Sequence, residues 1–239
     1  MSAPTFSIII PAFNEERFLP KCLDAIEKAR ARLGEDIEII VADNLSTDRT
    51  ADVAQARGAK VVTVTKKVIS AVRNGGVAAA TGKYLVFVDA DDMMSENMLV
   101  EIKKVMDSGK YIGGGTPHVL SDRWSVGIFL TYALQYFTFP FMGVSLFLFY
   151  ATREACNAIG GFNEELFASE DWDFGFRLKR YGKERGLKYN HMFRASVTKS
   201  CRKFDEFGDW FMFLNPVKMI KAIFNDSRAT YDLWYRPRR

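Results

Sequence analysis

Cysteine is scarce in this sequence, and nothing arranges it for a structural role. Cys22, Cys156 and Cys201 are widely spaced, odd in number and without CxxC or CxxH partners, which excludes a disulfide framework and a zinc knuckle. A reducing, cytoplasmic setting is therefore expected. No export signal is expected either, since Met1-Ser2-Ala3-Pro4 runs straight into an apolar stretch with no basic region ahead of it. Periodic repeats and low-complexity tracts are absent. Charge of one sign does not accumulate either; the net charge is +4, with Lys and Arg interspersed among Asp and Glu, and nucleic acid is not an expected partner. The exception is Trp234-Tyr235-Arg236-Pro237-Arg238-Arg239, whose composition suits anionic lipid headgroups or a solvated terminus.

What is present is a chain of 239 residues with 48% hydrophobic content, enough to enclose one core without disulfides or metals. In the first half, short apolar runs alternate with helical patterns, the signature of βαβ units and a mainly parallel sheet flanked by helices. Phe6 to Ile10 reads as a buried strand. Cys22, Leu23, Ile26, Ala29 and Leu33 then recur at helical spacing, with Gly34 as a stop. Strands are expected over Ile37 to Ala42, Val61 to Thr65 and Tyr84 to Val88, and helices from Asp48 or Thr50 to Gly58 and from Ser70 to Ala80. Asp89-Ala90-Asp91-Asp92 follows the fourth strand and is expected to lead directly into a helix whose apolar face is Met98, Leu99, Ile102, Val105 and Met106. That puts the acids at the carboxyl edge of the sheet, where open α/β folds bind ligands.

No charged residue lies between Arg123 and Arg153. Pro140 and Gly143 interrupt this span, so it reads as an amphipathic or interfacial helix, a turn, and a buried strand ending near Thr152 rather than as a membrane crossing. An apolar patch of that size implies self-association or contact with a membrane surface.

Asp89 and Asp91, one residue apart, can direct hard oxygens at a divalent cation that also holds phosphate; an isolated acidic cluster of this kind equally well caps a helix. Its neighbours give it a context. Ile10-Pro11-Ala12-Phe13-Asn14-Glu15, Val41-Ala42-Asp43-Asn44-Leu45-Ser46-Thr47-Asp48-Arg49-Thr50, Arg73-Asn74-Gly75-Gly76 leading to Asp91, and Gly160-Gly161-Phe162-Asn163-Glu164 followed by Glu170-Asp171 stand in this order. Together they resemble the motifs of family 2 glycosyltransferases over roughly three quarters of the chain.

The resemblance implies a single GT-A, Rossmann-like domain over residues 1–203, with a nucleotide-sugar half to about 116 and an acceptor half from 117, followed by a helical, basic-aromatic extension over 204–239. It implies an inverting transfer from a nucleoside-diphosphate sugar to an acceptor hydroxyl. Pro11, Ala12 and Phe13 would line the base pocket, with Asn14 beside them. Asp43 would accept from a ring nitrogen of the base. Glu15 would lie near the ribose, and Asp89, Ala90 and Asp91 would form the metal loop, with Mn2+ or Mg2+ held by Asp89 and Asp91. Lys67, Arg73 and Arg202 are placed to approach the diphosphate, and His191 is a further residue that could reach it. Asp171, with Glu170 before it, would be the general base; a helix cap is the plainer account of an acid there.

The usual Asp-Asp pair of the second motif is Asp43-Asn44 here and the usual Gly is Leu45, which leaves the base open among uracil, the leading choice, guanine and thymine. The acceptor would be a glycan or lipid-linked glycan at the inner face of the cell membrane. A polyprenyl-phosphate glycosyltransferase is the nearest alternative, although it needs no base. A non-catalytic nucleotide-sugar-binding or scaffold module is the second. A nucleotidyltransferase would need a Gly-rich phosphate loop after the first strand, which Pro11 to Glu16 does not supply.

Overall fold

The first strand, β1 (Phe6–Ala12), is buried along its whole length, as a parallel strand covered on both faces must be. Side chains alternate across it, so Ile8 and Ile10 enter one core cluster and Ile9 the other. A computed structural model describes residues 3–145, 147–166 and 169–214; the aromatic and basic ending 234–239 lies outside the described residues.

The described elements continue as α1 (Leu19–Leu33), β2 (Ile37–Asp43), α2 (Thr50–Ala56), β3 (Lys60–Thr63), α3 (Ile69–Ala79), β4 (Tyr84–Phe87), β5 (Asp92–Met94), α4 (Met98–Asp107), β6 (Tyr111–Thr116) and β7 (Val119–Ser121). Then come α5 (Val126–Met142), β8 (Leu148–Thr152), α6 (Arg153–Ala158), α7 (Glu170–Lys183), β9 (Lys188–His191), β10 (Val197–Lys199), α8 (Arg202–Phe207) and α9 (Phe211–Leu214). Gly34 ends α1 at φ 71°, its N–H donating to the Arg30 carbonyl, a left-handed stop that glycine adopts without penalty.

The central sheet has the order β3-β2-β1-β4-β8-β6-β9. β1 pairs in parallel with β2 on one side and β4 on the other, so the strand order reverses there and a crevice opens beyond the carboxyl ends of the strands. β8 runs antiparallel to both β4 and β6, which leaves the sheet mainly parallel. α1 and α4 cover one face with Leu23, Ile26, Leu99 and Ile102. The other face packs on Phe162, Phe174 and Leu178. Phe162 and Phe174 stack at 4.2 Å, which sets α7 against the sheet.

One local expectation is corrected. No helix follows the acidic cluster directly: β5 intervenes, with Met94, Met93 and Asp92 paired to Val197, Thr198 and Lys199 of β10. β7 completes this second, three-stranded sheet. Its partners lie about a hundred residues downstream, where a local pattern cannot see them. The uncharged span folds as read, into α5, a turn at Gly143 and β8, although α5 carries Pro140 inside its last turn. α8 begins at Arg202 and runs across the boundary expected after residue 203.

Candidate active site

The ends of β1 and β2 form one wall of the crevice. Pro11 and Ala12 are buried, and Phe13 stands 38% exposed beyond them. Asn14 takes φ 56°; its Oδ1 accepts from the Thr47 N–H at 2.8 Å and its own N–H donates to Ser46 Oγ at 2.9 Å, which locks the two motif loops together. Asp43 is buried, and its Oδ2 accepts from the Ser46 N–H at 3.2 Å. Its Oδ1 is buried with no partner among the described residues, a costly arrangement that a water or a ligand donor would relieve. Asn44 explains its own departure from the usual acid: its amide donates to the carbonyls of Val64 at 2.6 Å and Lys66 at 3.1 Å, which a carboxylate cannot do. Lys67 stands exposed on the loop that enters α3.

The floor is a chain of alternating acids and cations. Arg202 donates through Nη1 to both Glu15 oxygens, at 2.8 and 2.9 Å, and its Nε forms an ion pair with Asp91 Oδ2 at 2.9 Å. Lys199 stands 2.7 Å from Asp92 Oδ2 and 3.5 Å from Asp89 Oδ2. Arg73, buried on α3, reaches Asp89 Oδ1 with Nη2 at 3.1 Å, and Glu170 Oε1 and Asp171 Oδ1 with Nη1 at 3.1 and 2.6 Å. Ala90, buried between the two acids of the loop, leaves the crevice to their side chains.

Arg73 joins Asp89 to the Glu170-Asp171 pair. Asp171 is the second residue of α7, and its Oδ1 accepts a hydrogen bond from Arg73 Nη1. Glu15 faces Arg202. His191 meets Ser145, Nδ1 to Oγ at 2.8 Å, and not the acidic loop.

Burial and pairing compete for the charge of these groups. Burial raises Asp89, but Lys199 and Arg73 outweigh it and hold the carboxyl below its ordinary range. Burial pushes Asp92 up to about 8 despite Lys199, and Glu15 up to about 7 despite Arg202. It likewise raises Glu170 and Asp171, with Arg73 pulling the other way. Burial lowers Lys203 to about 8, against the pull of Asp91.

Two contributors escape the sequence pattern. Lys199 is visible only as part of a cation-rich stretch from Lys199 to Lys203; what aims it is the β5–β10 register, in which it faces Asp92. Asn74 reads as a turn residue, yet it clamps the loop before α7. Its Oδ1 accepts from the Phe162 N–H at 2.8 Å, and its Nδ2 donates to the Phe162 carbonyl and to Glu164, both at 2.9 Å. Gly161 leaves the room, since a Cβ there would collide with Asn74 Oδ1.

Among the described residues no three His, Cys, Asp or Glu side chains are grouped to hold a metal ion. Asp89 and Asp91 are nonetheless hard-oxygen donors on one short loop, and the acids of the floor outnumber its cations. That donor set fits Mg2+ or Mn2+ sharing one or two carboxylates with the phosphates of a ligand, and does not fit an all-protein cage.

Residues 7–168 match the family model described as Glycosyl transferase family 2. A PGL/p-HBAD biosynthesis glycosyltransferase of Mycobacterium bovis is 33% identical over 193 residues, covering 74% of this chain and 70% of that protein. Among solved structures, S. aureus TarS in complex with UDP-GlcNAc superposes with a TM-score of 0.64 at 18% identity, over 95% of this chain and 69% of that one. The mannosyltransferase PcManGT from Pyrobaculum calidifontis, in complex with GDP-Man and Mn2+, gives 0.62 at 16% identity, over 99% of this chain and 71% of that one. At such identities the two structures demonstrate a common fold.

Proposed function

The chain belongs to glycosyl transferase family 2 and is a glycosyltransferase; from that premise we propose that it moves a sugar from a nucleoside-diphosphate sugar to a hydroxyl of a glycan or lipid-linked glycan at the inner membrane face, inverting the anomeric centre. The observation that carries this reading is the reach of Arg73, whose single guanidinium contacts both Asp89 of the acidic loop and Asp171 at the start of α7. The proposed metal loop and the proposed base thus share one guanidinium, a proximity that supports direct displacement.

In this reading the base of the nucleotide enters the pocket of Pro11, Ala12 and Phe13, and a ring N–H satisfies the unpartnered Oδ1 of Asp43. Uracil is the first base to test, then guanine and thymine. Asp171 accepts the acceptor's hydroxyl proton while that oxygen forms its bond to the anomeric carbon, and the bond to the diphosphate oxygen breaks on the opposite face. Mn2+ or Mg2+ bound by Asp91 and Asp89 would supply Lewis-acid stabilisation of the leaving diphosphate. Arg202 and Lys203, now held against Asp91 and its neighbours, are the cations available to receive the diphosphate charge.

A polyprenyl phosphate as the attacking group is the second reading, favoured by the exposed apolar face of α5. It is disfavoured by Asp171, because an acceptor that is already ionised needs no base. The test is release of free nucleoside diphosphate from UDP-, GDP- and dTDP-sugars with Mn2+ and a membrane-lipid extract. Release from one donor that falls at least about a hundredfold in Asp171→Asn supports the proposal. Release that the substitution leaves unchanged favours the phosphate acceptor, and no release from any donor favours a binding module.

A further inference from the structure

α5 has one face against the protein and another facing outward. Ile128 and Thr131 are buried, Tyr132 packs edge-on against Phe147 and Phe204, and Tyr136 packs against His118 and Phe193. Val126, Phe129, Leu130, Leu134, Phe137 and Phe141 are exposed, Phe137 to 72% and Phe141 to 94%. Their spacing follows the helical period and draws a continuous apolar stripe. Trp124, 74% exposed, stands just before it. No Asp, Glu, Lys or Arg interrupts the chain from 124 to 152, so nothing on the helix itself opposes entry into an apolar medium.

Among the described residues no helix is long and apolar enough to cross a membrane. A helix of 17 residues rises about 25 Å, short of a hydrocarbon core of about 30 Å. Its packed inner face would in any case be lost by spanning. The geometry suits a helix that lies in the interface with one face submerged.

Charge selects the occupant. Asp209 and Trp210, just ahead of α9, lie against Gly127 in the first turn of α5, and α9 ends at Leu214. The sequence that leaves this point, 215–239, carries Lys218, Lys221, Arg228, Arg236, Arg238 and Arg239 against only Asp226 and Asp232. A basic sequence that continues from α9, together with the apolar stripe, supplies the two kinds of signal that stable attachment to an anionic bilayer needs. A second copy of the chain would instead bring two such basic segments together.

We propose that α5 docks this protein on an anionic lipid bilayer, with the stripe from Val126 to Phe141 inserted. Tyr132 reaches Phe204 of α8, the helix that carries Arg202, so docking holds the acceptor side of the crevice at the membrane. That last consequence rests on the glycosyl-transfer reading with a lipid-linked acceptor; the docking does not.

The test is vesicle flotation of the wild-type chain and of a Phe137→Ser/Phe141→Ser double variant, with phosphatidylcholine vesicles with and without phosphatidylglycerol. Matched melting temperatures establish that the variant is folded, and Phe137→Leu/Phe141→Leu serves as the apolar control. Expected is flotation with the anionic vesicles that weakens with salt, is kept in the Leu control and falls at least about tenfold in the Ser variant. A wild type that never floats overturns the proposal, as does a Ser variant that floats equally well. A wild-type dimer that the Ser substitutions convert to monomer, without flotation, assigns the stripe to a second copy instead. Nucleoside diphosphate release from a water-soluble acceptor reaction, run in parallel, is read separately: its absence removes the catalytic reading and leaves the flotation result standing.

Discussion

Arg73 Nη1 donates to Asp171 Oδ1 at 2.6 Å from a side chain that is 6% exposed. The same guanidinium holds Glu170 and Asp89, so it fixes the position of the proposed base and offsets charge that burial would otherwise make prohibitive. Arg73→Gln leaves Glu170 and Asp171 without the cation that joins them to Asp89, which keeps only Lys199. A loss of about 3 kcal/mol is expected, measured by urea unfolding at neutral pH. The loss should shrink in acid, where protonation removes the repulsion; an unchanged stability contradicts the role given to Arg73.

The pH dependence of turnover follows from Asp171. Burial raises its pKa above the carboxylate range in spite of Arg73, and only the ionised form can accept a proton. kcat/KM should therefore rise with pH through a value well above the ordinary value of 3.8 and then level off. Asp171→Asn should lose this limb and at least about two orders of magnitude in rate, while nucleotide binding persists. A mutant that keeps the limb would move the base elsewhere.

Arg202 and a divalent ion compete for Asp91. With Nε 2.9 Å from Asp91 Oδ2, the guanidinium occupies the carboxylate proposed for the metal. Removing it in Arg202→Met should tighten Mn2+ binding to the nucleotide-free protein several-fold and weaken nucleoside diphosphate binding about tenfold, since a charge-assisted contact is worth roughly 1.5–3 kcal/mol. Calorimetric titration of each ligand separates the two effects. Parallel weakening of both would contradict the competition.

Asn74 is a structural clamp. Asn74→Ala removes the partners of the Phe162 N–H and carbonyl and should cost about 1–3 kcal/mol, seen as a lower melting temperature. Gly161→Ala should act at the same contact, because its Cβ meets Asn74 Oδ1. Equal melting temperatures for wild type and both variants would remove the clamp from this account.

Much of the fold was legible because its signals are local. Ile8, Ile9 and Ile10 mark a strand buried on both faces, Gly34 stops α1, and Gly143 separates α5 from β8 as the uncharged span implied. β5, β7 and β10 were not legible, since each has only three residues and exists through pairing between distant segments. The candidate site divides in the same way. Asp89, Asp91 and Asp171 stand out by motif, and Asp43 keeps an unpartnered oxygen that suits the role carried over to it. The aim of Arg73 at the acids, the pairing of Glu15 with Arg202 and the place of Lys199 between Asp89 and Asp92 are tertiary facts. A sequence records which side chains are present near a site, but the register of β5 on β10 decides which carboxylate each cation reaches.

The central claim is a nucleotide-sugar site completed by a divalent ion at Asp91. The most direct measurement is the melting temperature of wild type and Asp91→Ala with UDP, GDP and dTDP, each with and without Mn2+. Expected is a rise with one nucleotide that needs Mn2+ and disappears in the variant. No rise with any nucleotide, or a rise that survives both removal of the metal and loss of Asp91, would contradict it.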